Sequence, residues 1–284
     1  MTTCPPYTLP DTVLEALLHD DAPCGDATTF ALGIGAQGGC MVFRTRHDMV
    51  LCGSEEAAGM ARLRGLALVG EVRASGECLA AGEAILRCEG PAAGLHQVWK
   101  TAQTLIEYLS GIATATAGIV AAARAINPDI GIACTRKNFP GTKAAAIKAI
   151  LAGGASPHRL GLSETLLVFA EHRAFLGDEK PADTVRRLRR QWPERAIVVE
   201  VGDTAEALHW AAAGADIVQL EKLAPEAVAE LKADLSGSHT RIAAAGGINS
   251  ANAAVYAQAG ADILVTSAPY FAPPRDVAVS LTAL

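Results

Sequence analysis

Apolar residues change their rhythm part-way along the chain. Up to about residue 108 the pattern is mixed: a short helix opens at Pro10–Asp11 and runs through Leu18, with an acidic first turn. Residues 40–52 alternate as two short strands around a polar turn, residues 55–64 look helical, and 67–90 carry short strands broken by Gly70, Gly76, Gly82 and Gly90. Helical spacing predicts one helix over 91–109 and a second, alanine-rich one over 114–126. From residue 130 short continuous apolar runs recur at 130–134, 159–162, 166–169, 196–201, 215–220, 241–245 and 261–266. Helical stretches separate them at 142–152, 180–192, 203–213, 225–235 and 250–259.

Continuously apolar strands alternating with helices imply a parallel sheet buried on both faces. Seven such strands suit a closed or nearly closed α/β barrel better than a short open sheet. The Ala-Gly-Ala-Asp segments at 213–216 and 259–262 repeat one helix end, glycine turn and strand entry.

In such barrels the chemistry gathers at the C-terminal strand ends. That rule selects Thr135, Arg136 and Lys137, then Glu200, Glu221, the pair Gly246–Gly247, and Ser267. Glycines admit a phosphate close to backbone N–H groups. Arg and Lys neutralise diphosphate or carboxylate charge, and carboxylates hold Mg²⁺ or ribose hydroxyls. His158 and Arg159 are read at the start of the 159–162 strand, near that same set. His172, shortly after a strand, is the only other histidine drawing attention. Gly33, Gly35 and Gly38 match a dinucleotide fingerprint by letter only, because a strand-like segment follows them where a helix is required.

Composition narrows the classes. The chain has 284 residues, 50% of them hydrophobic, and a formal net charge of -6. This is a globular composition with no general field for nucleic acid. Aromatics at 5% do not furnish a stacking platform for bases. Seven cysteines show no paired or zinc spacing and read as small buried hydrophobes. The alanine-rich stretches are cut by charges, so no membrane span is expected, and the start of the chain lacks a leader pattern. A cytoplasmic location follows by default. Arg186, Arg187, Arg189 and Arg190 read as a solvated or subunit-facing helix surface.

Five ordered segments carry a resemblance: Gly25–Thr29, Leu109–Thr114, Thr135–Gly141, His158–Ser163 and Gly246–Asn249. Together they resemble the nicotinate-nucleotide pyrophosphorylase (quinolinate phosphoribosyltransferase) family over nearly the whole chain, most closely its ModD pyrophosphorylase branch, associated with molybdenum transport genes. The resemblance implies an N-terminal α/β sandwich over 1–108 and a C-terminal incomplete parallel α/β barrel over 109–272, with residues 273–284 returning to the sandwich. It implies a homodimer or dimer-based oligomer with shared active sites. The reaction implied joins a nitrogen of an aromatic acid to C1′ of phosphoribosyl diphosphate, with Mg²⁺.

By the same resemblance, Arg136, His158 and Arg159 hold the acid substrate, and Lys137 lies near the diphosphate. Glu200 and Glu221 face ribose hydroxyls or Mg²⁺, while Gly246, Gly247 and Ser267 serve the phosphate. Departures are concentrated on the acceptor side. Lys100 stands where the family has an arginine that reaches into a neighbouring subunit's site, and Phe169 where it has a lysine. The acceptor expected is therefore less acidic or larger than quinolinate. Quinolinate itself and a non-catalytic regulatory role in molybdenum uptake are the competing expectations.

Overall fold

A computed structural model describes residues 5–284. The first part of the chain runs α1 (Asp11–Asp21), α2 (Ala27–Leu32), β1 (Gly38–Thr45), β2 (Met49–Val50), α3 (Ser54–Leu63), β3 (Ala67–Leu68), β4 (Cys78–Leu79), β5 (Ala84–Pro91) and α4 (Ala92–Arg124). It continues β6 (Gly131–Cys134), α5 (Lys143–Ala152), β7 (Ser156–Pro157), β8 (Leu166–Val168), α6 (Ala170–Arg173), α7 (Pro181–Gln191), β9 (Ile197–Val201) and α8 (Thr204–Ala212). The remainder is β10 (Ile217–Glu221), α9 (Pro225–Asp234), β11 (Arg241–Ala245), α10 (Ala253–Gln258), β12 (Ile263–Thr266), a 3₁₀ turn (Ala268–Phe271) and β13 (Val277–Ala283).

The chain forms two compact units. One comprises the chain up to Ala117 with Phe139–Gly154 and Pro269–Leu284; the other comprises Gly118–Asn138 and Ala155–Ala268. The division by compactness falls inside α4 and assigns α5 to the first unit. The sequence pattern breaks α4 at Ser110–Gly111, yet the helix runs through. Ser110 donates its hydroxyl to the Cys52 carbonyl. At Gly111 an added Cβ would meet the Pro273 carbonyl oxygen at 2.4 Å, so the glycine marks close packing instead of a helix end.

The first unit is an α/β sandwich. Its antiparallel sheet has the order β13-β1-β5-β3, with Met41 opposite Leu281 on one side and Cys88 on the other. Leu14 and Leu18 from α1, Met60 from α3, and Leu95, Val98 and Ile106 from α4 bury against Phe43, Ile85 and Leu86. The expected strands over 40–52 are present as β1 and β2, but β2 pairs with β4 and not with β1. By length and composition alone α4 could cross a bilayer, which counting uncharged runs did not anticipate. Its apolar residues Leu95, Val98, Ala102 and Ile106 are instead core of this unit. Inside the same unit Lys148 is buried, with Nζ 2.6 Å from Glu56 Oε2 and 2.9 Å from Glu55 Oε2.

The second unit is an incomplete barrel. Seven parallel strands run β7-β6-β12-β11-β10-β9-β8, and among the described residues its end strands do not pair with each other. Side chains two apart project to one face, and Ala133, Leu167, Val198, Ile217, Ala243, Ala245 and Val265 fill the interior.

The repeated Ala-Gly-Ala-Asp segment proves to be a latch. Gly214 and Gly260 take φ of +94° and +92°. Asp216 then accepts the Ile197 N–H at 2.7 Å, and Asp262 the Ile242 N–H at 2.8 Å. Each carboxylate also meets a cation from a preceding helix, Arg189 on Asp216 and Lys232 on Asp262. Arg189 therefore secures a strand, while Arg186 and Arg187 pair locally with Asp183 and Glu179.

Two further expectations are corrected. The segment 159–162 is not a strand: β7 ends at Pro157, because Leu160 and Leu162 are exposed and give that stretch no face to bury. Among the cysteines, Cys40, Cys52, Cys88 and Cys134 are buried as expected, but Cys24 and Cys78 are exposed; Cys4 lies outside the described residues.

Candidate functional site

The candidate residues of the second unit share the end of the barrel to which its strands run. Residues alternating along each strand bring Phe169 after β8, Glu200 in β9, and Gln219 and Glu221 in β10 onto the interior face, while Gly246–Gly247 and Ser267 follow directly on β11 and β12. Thr135 extends the ladder beyond β6, donating its N–H to the Thr266 carbonyl at 2.8 Å. Its hydroxyl accepts the Lys137 N–H at 3.2 Å. This local turn leaves Arg136 and Lys137 exposed at the strand end.

His158 and Arg159 stand just past β7, not at a strand start. The His158 N–H donates to the Cys134 carbonyl at 2.7 Å, which fixes the loop beside β6. Burial, then the Arg159 and Arg136 guanidiniums, push the His158 imidazole below its ordinary pKa. Burial and Arg136 likewise lower Arg159. Among the described residues no carboxylate pairs with Arg136, Lys137 or Arg159. Cations packed together without a counter-charge make a site for an anion.

Phe169 sits against the barrel interior. The Arg159 guanidinium lies 5.5 Å from its ring centre. His172 stacks on it at 5.7 Å and 21°, and accepts the Phe169 N–H on Nδ1 at 3.0 Å. The histidine noted in the sequence thus orients the aromatic ring.

Glu200 is half-buried and takes a hydrogen bond from Gln219 Nε2 at 2.8 Å. Burial, with repulsion from Glu221 and Glu171, raises its carboxyl pKa against the opposing Gln219 bond and Arg173. Arg173, which the sequence did not single out, donates to the Glu200 carbonyl at 2.6 Å and to Glu206 Oε1 at 2.8 Å. Lys222 takes φ +58° and donates its N–H to the Ala245 carbonyl. Gly246 and Gly247 have φ of +87° and +78°, and Gly247 faces open space. The Asn249 and Asn252 amides both donate to the Gly247 carbonyl, at 3.1 and 3.0 Å, and set the orientation of that peptide.

Glu200 and Glu221 are hard oxygen donors whose mutual repulsion a cation would relieve. Among the described residues no three His, Cys, Asp or Glu converge as a metal cluster. A pair of carboxylates fits Mg²⁺ shared with substrate phosphates, since that ion keeps few protein ligands. Lys100 belongs to the first unit, where its ammonium lies 4.4 Å from the Trp99 ring centre and donates to Gln103.

Gln219 was also missed in the sequence. Its signal was a polar residue inside an apolar run, two positions before Glu221 and so on the same strand face.

The comparisons with known proteins agree with this architecture. Residues 26–110 match the quinolinate phosphoribosyl transferase N-terminal domain, and residues 112–280 its C-terminal domain. A Rhodobacter capsulatus protein named "Putative pyrophosphorylase ModD" is 48% identical over 249 residues, covering 87% of this chain and 96% of its own. A probable carboxylating nicotinate-nucleotide pyrophosphorylase of Methanothermobacter thermautotrophicus is 32% identical, covering 89% and 91%. The solved nicotinate-nucleotide pyrophosphorylase of Francisella tularensis superposes with a TM-score of 0.88 over 97% of this chain and 98% of that one, at 22% identity, a likeness of fold. With both domains matched in order and a close full-length relative, the chain belongs to the quinolinate phosphoribosyl transferase family.

Proposed function

We propose that the barrel end transfers a phosphoribosyl group from phosphoribosyl diphosphate to a ring nitrogen of an aromatic acid. The observation that carries this reading is the cluster of Arg136, Lys137, His158 and Arg159, without a carboxylate partner, on the same barrel as Glu200 and Glu221. The ring nitrogen lone pair forms the bond to C1′ as the C1′–O bond to diphosphate breaks, and diphosphate leaves with that electron pair. Lys137 meets the growing negative charge on the leaving group, where a preorganised cation is worth most. Arg136, His158 and Arg159 hold the acceptor's acid group, with His158 neutral at ordinary pH because its pKa is depressed. Gly246, Gly247 and Ser267 receive the 5′-phosphate, and Glu200 with Glu221 orients the ribose hydroxyls. Glu200 and Glu221 would hold Mg²⁺, which would supply charge neutralisation of the leaving diphosphate.

The acceptor proposed is less acidic or larger than quinolinate. Phe169 offers a ring face beside Arg159 where a planar acceptor stacks. Lys100 serves the site of a second copy, in a dimer with shared active sites. The ModD-like resemblance supports a place in molybdenum uptake within the cytoplasm. The test is calorimetry with phosphoribosyl diphosphate and Mg²⁺, followed by a diphosphate-release screen of pyridine, pterin and other aromatic nitrogen acids. Micromolar binding and release with an acceptor other than quinolinate are expected. No binding overturns the transferase reading, and quinolinate turnover at the rate of other family members overturns the altered acceptor.

A further inference from the structure

Gln219 is 4% exposed, and its amide is only half satisfied. Nε2 donates to Glu200, while Oε1 has no hydrogen-bond partner among the described residues. Turning the amide over does not help: it would set two acceptor oxygens against each other and leave the NH₂ group unpaired. A buried amide oxygen without a donor keeps its desolvation cost uncompensated, so the interior asks for an N–H or O–H at this point.

The register says where that point is. Gln219 pairs with Glu200 on β9 and with Ala243 on β11. Phe169 follows Val168, which pairs with Val199, so Phe169, Glu200, Gln219 and Ala243 form one transverse row. Ile217 and Ala243, both interior residues, place Gln219 on the interior face. Glu221 stands on the same face, one interior position nearer the strand end. The unpaired oxygen therefore belongs to the row that contains the aromatic ring of Phe169, below the outer carboxylate. The small side chain of Ala243 flanks it.

We propose that Gln219 is a specificity-determining residue that accepts a hydrogen bond from an amino, hydroxyl or ring N–H group of the acceptor. This rests on the transferase reading and deepens it. The consequence is chemical: pyridine-2,3-dicarboxylate carries carboxylates and ring carbons but no such donor at neutral pH, so it leaves Oε1 unpaired. An aromatic acid with a ring amino or hydroxyl group satisfies it. A site built to pair a polar group rejects the analogue that lacks it.

The test compares nicotinate and quinolinate with the ring-amino regioisomers of nicotinate, in the wild type and in Gln219→Leu and Gln219→Met. Phosphoribosyl diphosphate and Mg²⁺ are present, and both diphosphate release and acceptor binding are measured. At least one amino isomer is expected to exceed nicotinate by tenfold or more in kcat/KM or affinity, and both variants should bring that ratio to near one. Equal loss for both acceptors, with the ratio kept, overturns the proposal and makes Gln219 a positioning residue for Glu200. No preference in the wild type, or no binding of any amino isomer, overturns it too, the oxygen then being met by water alone. Weaker binding of phosphoribosyl diphosphate by itself in both variants overturns it by moving the contact to a ribose hydroxyl. Failure of the wild type to bind phosphoribosyl diphosphate defeats the underlying transferase reading, and that result is separate from all of these.

Discussion

Lys222 closes the space around Gly246: a Cβ added at Gly246 would lie 2.5 Å from Lys222 Cγ and 3.0 Å from its backbone nitrogen. The glycine φ of +87° disfavours a side chain as well. Gly246→Ala should lower stability by about 1–3 kcal/mol and weaken phosphoribosyl diphosphate binding by at least about tenfold. Denaturant unfolding and calorimetry measure the two effects. Unchanged affinity would remove this turn from the phosphate site.

The buried ammonium of Lys148 neutralises Glu55 and Glu56. Lys148→Met leaves Glu56, wholly buried, without its cation and should cost about 3–5 kcal/mol. A loss under about 1 kcal/mol in urea unfolding would contradict the pairing.

The same cluster sets a pH window for stability. The Glu55 carboxyl, held below its usual range by the Ser75 and Lys148 bonds against burial, contributes stability above its unfolded value, roughly pH 4.3. That contribution fades as pH falls through the lower folded value. The Lys148 ammonium is held above its usual range by Glu56 and Glu55 against burial. Its contribution is complete below about pH 10.4 and fades as pH rises through the folded value. Glu55→Gln should flatten the acid limb of the melting temperature against pH and leave the alkaline limb to Lys148 and Glu56.

His158 offers a spectroscopic check. Its imidazole should titrate below the ordinary histidine range, and Arg159→Gln should move it upward, since Arg159 opposes its protonation. Proton NMR of the ring signals against pH reads both. An unshifted titration in the variant would mean that burial and Arg136 set the value without Arg159.

Glu221→Gln removes one charge facing Glu200 and should raise the Mg²⁺ concentration needed for half-maximal diphosphate release, because the ion loses a carboxylate ligand. Phe169→Lys should reduce turnover of the preferred acceptor and raise that of quinolinate. If quinolinate remains inert in that variant, the aromatic ring alone does not set the acceptor.

Much of the barrel was legible because its strands are buried on both faces and therefore continuously apolar. Glu200, Glu221 and the glycine pair followed from the strand-end rule. The 159–162 segment misled because Leu160 and Leu162 mimic a strand yet face solvent. Ser110 and Gly111 looked like a helix break, and only the close approach of Pro273 explains them. Gln219 was hidden in the run Ile217–Glu221, since hydrophobic patterning cannot tell a buried amide with a partner from one without. Arg173 acts through a backbone carbonyl 27 residues away in sequence, a contact no local pattern encodes.

The interleaving of the two units has a consequence for synthesis. Strand β1, made early, pairs with β13 from Gly39–Ala283 to Thr45–Val277, and α5 is contributed to the first unit from between barrel strands. The sandwich sheet therefore stays one strand short, with an open edge, until the ribosome has made Val277–Ala283. A nascent chain stalled before Val277 carries that edge exposed, and a chaperone or a second nascent chain can pair with it. The order of translation, and not only the final packing, thus decides when the first unit becomes safe from aggregation.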